Sequence, residues 1–236
     1  KTRTVRDING KGEYPMVKTD IGYARISGFS ENTADELEEA LVQMEANDVK
    51  ALVLDLRDNP GGLLPQSARV AEKFIPKDQL IVSTEGRNQR EQEQFKSKSL
   101  MHRTLPLVIL VNSGSASASE IVAGCLQDLG RAALVGSKTF GKGSVQSILP
   151  MRDGSALRLT TAKYFTPSNR VIHEAGIEPD YNVQMSPDQM RDIVMKRSPG
   201  VLESLDEEDR QRVSEAKDPQ LEKALDILQG AIKENN

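Results

Sequence analysis

The sequence predicts an α/β fold in which a largely parallel sheet is covered by helices, followed by a C-terminal helical extension. Three observations carry that expectation. Short apolar, β-branched runs alternate with stretches of helical periodicity, giving strand, helix and strand three times over, the pattern of a parallel sheet wrapped by helices. Each run is only four to six residues long and mostly apolar, as for strands buried on both faces. From Ser186 onward the strand pattern stops, and helical stretches at Pro187 to Lys196 and Pro219 to Lys233 flank a charged run, Glu203 to Lys217, expected to be a solvated face. The chain is therefore expected to divide into a strand remnant at 1–12, a core at 13–185 and a helical segment at 186–236.

Taken in order, Thr2 to Ile8 alternates polar and apolar residues like a short strand, and Ile21 to Ile26 reads as another. Asn32 or Thr33 can cap a helix over Ala34 to Ala46, whose Leu37, Ala40, Leu41 and Met44 share one face. Ala51 to Leu56 is a continuous apolar strand that ends in the turn Arg57 to Gly62. A second helix, Leu64 to Phe74, leads to a strand at Leu80 to Ser83, expected in the same parallel sheet. The polar stretch Glu85 to Arg103 predicts a mobile or helical excursion over the site. Pro106 to Val111 forms the central strand and Asn112 to Ser119 a turn of small residues. Ile121, Val122, Cys125 and Leu129 mark a helix, and Ala132 to Val135 a strand. The segment around Lys142 and Ala156 to Tyr164 predict paired strands, with Met151 to Gly154 as their turn. In the last helix Leu221, Ala224, Leu225 and Leu228 form an apolar stripe that suggests a homodimer contact.

Composition removes several classes of function. The 236 residues are 37% hydrophobic and 28% charged with 4% aromatics, enough for one core but a lean one. A formal charge of −4, from 31 basic and 35 acidic residues, argues against a nucleic-acid partner. No apolar run approaches the roughly 20 residues needed to span a bilayer. Cys125 is the single cysteine, so neither an internal disulfide nor a multi-cysteine zinc site is expected. It falls on the apolar helical face as an inert core thiol. His102 and His173 lie far apart without neighbours at ligand spacing, so no histidine-based metal centre, and no cofactor, is expected.

The chemistry concentrates between Val108 and Gln146. A serine-rich turn between a buried strand and a helix N-terminus can hold a nucleophile beside backbone amides that receive an oxyanion. Ser113, Ser115 and Ser119 also fit as helix caps. Downstream, Lys142 stands between Gly141 and Gly143, which let the backbone bend so that the amine enters a crowded, dry space and can take a proton from a serine. Gln146, four residues on, would share a strand face with it and orient it. Lys138 lacks the glycine flanks, and Asp58 fits as a turn residue bonding local amides. Gly136 to Lys142 matches the first seven positions of a phosphate-binding loop, but the eighth is Gly143 instead of Ser or Thr. Val145 to Leu149 then alternates like a strand, so no nucleotide partner is expected.

Gly-Ser-Ala-Ser-Ala-Ser-Glu-Ile at Gly114 to Ile121 and Thr-Phe-Gly-Lys-Gly-Ser-Val-Gln at Thr139 to Gln146, with the interval between them, resemble the carboxyl-terminal processing (tail-specific) serine peptidases. Asp-Leu-Arg-Asp-Asn-Pro-Gly-Gly at Asp55 to Gly62, Gly-Ile-Glu-Pro-Asp at Gly176 to Asp180 and the Asp-Pro-Gln-Leu stretch from Asp218 extend the resemblance over nearly the whole chain. It implies a Clp-protease and crotonase-like fold, Ser117 as nucleophile, Lys142 as general base and Gln146 as its support. The oxyanion hole would be the amide of Ala118 with that of Gly61 or Gly62. In such peptidases a PDZ domain that grips the substrate's C-terminus comes before the core. Its Gly-Leu-Gly-type loop is not found here, and residues 1–12 would be the end of that segment.

The resemblance further implies an ATP-independent endopeptidase that cuts near the C-termini of precursor or partly unfolded polypeptides, exported to a periplasm, cell envelope or thylakoid lumen. The rival is a non-catalytic binding or assembly subunit that keeps the peptidase fold.

Overall fold

The computed structural model describes residues 5–6, 16–18, 20–86, 92–198 and 200–234. Two sheets and seven helices make up this part of the chain. The main sheet runs β1 (Val5–Arg6), β3 (Ile21–Ile26), β4 (Ala51–Asp55), β7 (Leu107–Val111), β8 (Ala133–Gly136) and β11 (Tyr181–Asn182), with β2 (Met16–Lys18) also on β3. From β3 to β11 every pairing is parallel, while β1 and β2 lie antiparallel to β3. The largely parallel, helix-covered sheet is thus as expected. Of the Thr2 to Ile8 strand only Val5–Arg6 falls among the described residues.

The apolar runs are continuous because both faces of this sheet are covered. Leu52 and Leu54 of β4 and Ile109 and Val111 of β7 point into a core closed by α1 (Thr33–Ala46), α2 (Leu64–Ala71) and α3 (Ala118–Asp128). Ala51 and Val53, with Val108 and Leu110, point the other way, onto Ala224, Leu225 and Leu228 of α7 (Pro219–Glu234). The stripe that suggested a homodimer is therefore spent on the sheet: Ala224 and Leu228 are buried, and that face is not left for a second copy. Between the sheet and α7 the chain forms α4 (Pro187–Arg197), α5 (Val201–Ser204) and α6 (Glu207–Glu215), α5 overlapping the start of the charged run and α6 lying within it.

The structure overturns the expectation for the second of the three β–α–β units. The strand after α2, β5 (Leu80–Gly86), leaves the parallel sheet and pairs antiparallel with β6 (Glu93–Lys96) and β10 (Ala156–Phe165). With β9 (Ser144–Pro150) these make a second, antiparallel sheet ordered β6-β5-β10-β9. From Val82 on, β5 alternates between buried Val82 and Thr84 and more exposed Ser83 and Glu85, as suits a sheet with one wet side. The polar stretch expected as a mobile or helical excursion carries β6, a strand, because its alternating side chains need burial on one face only. Its residues 87–91 lie outside those described. The hairpin of β9 and β10 forms as expected, closed by the Met151 N–H donating to the Ser155 carbonyl at 2.8 Å.

Candidate active site

The serine turn connects β7 to α3, and Ser117 is its last residue before the helix. Its backbone sits at φ 57°, ψ −112°, a region that costs a side-chain-bearing residue about 1–3 kcal/mol unless the surroundings impose it. They do. The Ser117 N–H donates to Glu120 Oε2 at 2.8 Å, and the Glu120 N–H donates to the Ser117 carbonyl at 2.9 Å. The Ser115 hydroxyl donates to the Leu56 carbonyl at 2.8 Å and the Ser119 hydroxyl to the Asn59 carbonyl at 3.0 Å. Ser115 and Ser119 thus tie the turn to the loop after β4 instead of capping α3, since both hydroxyls are buried against acceptors there. Asn112 completes the frame, its Oδ1 accepting from the Asp58 and Gly114 N–H groups and its Nδ2 donating to Asp58 Oδ1. Asp58 therefore bonds a side chain across the site instead of the local amides expected of it.

Gly61 is the point of closest approach between the two loops. A Cβ there would stand 2.6 Å from the Ala116 carbonyl oxygen and 2.8 Å from Ser117 Cβ, and the backbone lies at φ 98°. The Gly61 N–H donates to Asn59 Oδ1 at 2.9 Å, whereas the Gly62 N–H has no acceptor among the described residues. Ala118 is the first residue of α3, where no helical carbonyl precedes its N–H. Two amides of these loops are accordingly open: that of Ala118, next to the serine, and that of Gly62, next to Gly61 in the facing loop.

The lysine segment is held by the same carboxylate. Glu120 is fully buried, and its Oε1 accepts from the Thr139 hydroxyl and from the Gly141 N–H at 2.7 Å. Its Oε2 takes the Lys142 N–H at 2.8 Å in addition to that of Ser117. The backbone nitrogens of Ser117 and Lys142 are thus no farther apart than twice that distance. Gly143 explains its own identity, since a Cβ there would stand 2.3 Å from the His173 amide nitrogen.

The side chain of Lys142 is another matter. It is exposed, as is Gln146, so the dry surroundings expected for the amine are not what the structure holds. For Gln146 the reason is architectural: β9, in which it lies, is the edge strand of the second sheet, with β10 on one side only. Lys142 also precedes β9, which starts at Ser144, so the same-face argument linking it to Gln146 does not apply; Gln146 lies within the strand, opposite Thr160.

The remaining candidates sort cleanly. Lys138 pairs with Glu178 at 2.9 Å. Cys125 is buried in the main core, and burial, followed by the charge of Asp128, pushes its thiol up to about 12. The segment from Gly136 leads into β9 and not into a helix. Among the described residues no group of His, Cys, Asp and Glu could hold a metal ion, and no helix is long and apolar enough to cross a membrane. Sequence reasoning missed the framing roles of Glu120, Asn59, Asn112 and Thr139. For Glu120 a signal was present in the Ser-x-x-Glu spacing of a capping box, of which the carboxylate half forms here.

A strained serine between a buried strand and a helix N-terminus, with an open amide at the helix start, is the layout that serine-nucleophile acyl-transfer enzymes use. Comparison with known proteins makes the class specific. The model of peptidase family S41 matches residues 20–183. The carboxy-terminal-processing protease of Bartonella bacilliformis is 42% identical over 98% of this chain and 57% of its own length. Carboxyl-terminal-processing peptidase 3 of Arabidopsis thaliana, a chloroplastic protein, is 47% identical over 67% of this chain and 31% of its own length. Among solved structures, the photosystem II D1 C-terminal processing protease superposes with a TM-score of 0.66 at 33% identity, covering 78% of this chain and 48% of that one. The chain belongs to peptidase family S41. It spans little more than half the length of the Bartonella relative and less of the others, and relatives occur both in bacteria and in a chloroplast.

Proposed function

We propose that this chain is the catalytic core of an ATP-independent serine endopeptidase that cuts near the C-termini of precursor or partly unfolded proteins outside the cytoplasm. Ser117 Oγ attacks the scissile carbonyl while Lys142 takes its proton and returns it to the leaving amine. The amides of Ala118 and Gly62 receive the oxyanion, Gly61 being committed to Asn59. Water then attacks the acyl-enzyme with Lys142 again as base. Gln146 orients Lys142. The observation that carries this reading is the shared Glu120 oxygen, which fixes the backbones of Ser117 and Lys142 side by side.

Because the Lys142 side chain is in water, the scheme includes one movement. The amine swings onto Ser117 when a bound polypeptide covers the site and strips the water that favours its charged form. The same exposure favours the rival reading of a non-catalytic assembly subunit, in which Lys142 never reaches the serine. Incubation with casein, read by gel, separates the two: the peptidase degrades it with or without EDTA and without ATP, and Ser117→Ala does not. Intact casein across the range from neutral to alkaline pH would favour the assembly subunit.

A further inference from the structure

The turn that carries the Gly62 amide is anchored at its start by Arg57, and Arg57 is anchored by the C-terminal segment. Its side chain is 1% exposed, and all five guanidinium N–H groups have acceptors. Nε donates to Asp55 Oδ1 at 3.0 Å and Nη2 to Asp55 Oδ2 at 2.7 Å. The two outer nitrogens fork onto Asp218, Nη1 to Oδ1 and Nη2 to Oδ2, both at 3.0 Å, and Nη1 also reaches Gln220 Oε1 at 3.0 Å. Asp218 at the same time caps α7, accepting the Leu221 N–H at 3.0 Å, and Gln220 Nε2 holds the Val183 carbonyl at 2.8 Å. Arg197 of α4 closes the ring on Asp55 at 3.2 Å and on Asp218. Burial alone would push the Asp55 carboxyl up, but Arg57 outweighs it, with Arg197 and Arg25 behind, and holds it well below the carboxylate range. The ring is thus two cations against two anions, with the Tyr23 hydroxyl donating to Asp55 at 2.6 Å as well.

A buried, bidentate ion pair of this kind is rigid in direction, and its geometry passes to whatever the arginine's backbone carries. Here the backbone carries the oxyanion turn: Asp58 and Asn59 come directly after it, and Asn59 holds the Gly61 N–H. We propose that Asp218 and Gln220 are positioning residues for the oxyanion hole, setting the place of the Gly62 amide through Arg57, so that docking of α7 on the sheet is a condition for full catalysis. The proposal rests on the peptidase reading for its catalytic consequence but not for its structural one, and both are measurable.

The test uses Asp218→Asn, which keeps a capping oxygen but removes the charge from the fork, and Gln220→Leu, which removes no charge but only the bonds to Arg57 and to the Val183 carbonyl, and guards against misfolding of the first. Three readings are taken on the full chain: kcat and KM for a peptide substrate, affinity for a peptide boronate that mimics the tetrahedral state, and hydrogen exchange over residues 58–63 against β8. Loss of a whole oxyanion donor costs about a hundredfold or more in rate. A displaced donor is expected to cost about tenfold in kcat for Asp218→Asn and less for Gln220→Leu. KM should be unchanged, boronate affinity should fall in step with kcat, and exchange should rise over 58–63 but not in β8. Folded variants with wild-type kcat, or a loss of kcat without loss of boronate affinity, or unchanged exchange over 58–63, would overturn the proposal. A wild-type chain that cuts nothing would sink the peptidase reading, and the exchange data would still decide the clamp.

Discussion

The turn that carries Ser117 and the segment that carries Lys142 meet on one carboxylate, yet they are built in opposite ways. Around Ser117 almost every polar group is buried and satisfied: Asn59, Asn112, Ser115 and Ser119 bond across the gap between two parallel strands, and a costly backbone conformation is imposed from several sides. Beyond the Lys142 amide, support ends. The side chain enters solvent, and the next strand is a sheet edge with Ile148 71% exposed. The contrast teaches that the Ser117 half of this site is preorganised, whereas Lys142 is placed at its backbone alone; in the proposed scheme the polypeptide that binds must then aim its amine.

The two halves should respond differently to substitution. The largest effects fall on activity alone: Ser117→Ala and Lys142→Ala should each lower peptide hydrolysis by on the order of a millionfold, as members of one catalytic unit do. Lys142→Ala should leave the unfolding temperature where it was, because its side chain touches mostly water. Glu120→Gln tests the joint between the halves. With four donors converging on a buried charge, it should cost about 2–3 kcal/mol in urea unfolding and about a hundredfold in kcat/KM together. An effect on activity without one on stability would place Glu120 in the lysine half only. Gly61→Ala probes the crowded half, where strain and a 2.6 Å contact should cost about 2 kcal/mol and roughly tenfold in kcat. The smallest change in stability belongs to Ser117→Gly. It should be inactive but about 1 kcal/mol more stable, read as a raised denaturation midpoint, because glycine accepts φ 57° without strain.

The difference between the halves also explains what could be read from the sequence. The buried strands β3, β4 and β7 and the helices α1 and α3 announce themselves because each is a mostly apolar run or a helical stripe. Ser117 and Lys142 stand out as candidates from residue type, glycine flanks and family spacing. The features that stayed hidden are set by partners distant along the chain. Leu80–Gly86 looks like a parallel strand until β10 pairs with it. The C-terminal stripe reads the same whether it meets a second copy or its own sheet. Glu120 shows no sign in its neighbours that Thr139, Gly141 and Lys142 will arrive. The exposure of Lys142 was illegible for the same reason, since dryness depends on what packs above the amine and local glycines say nothing of it.

Catalysis as proposed requires Ser117 and Lys142 to act on one another although the amine rests in water. The most direct test is the distance between Ser117 Oγ and Lys142 Nζ in a crystal structure of the peptide-boronate adduct. The expected result is boron bonded to Ser117 Oγ, its oxygen between the Ala118 and Gly62 amides, and Nζ within hydrogen-bond reach, about 2.6–3.2 Å, of Oγ. Boron on another residue, or Nζ still in solvent with the ligand in place, would contradict it.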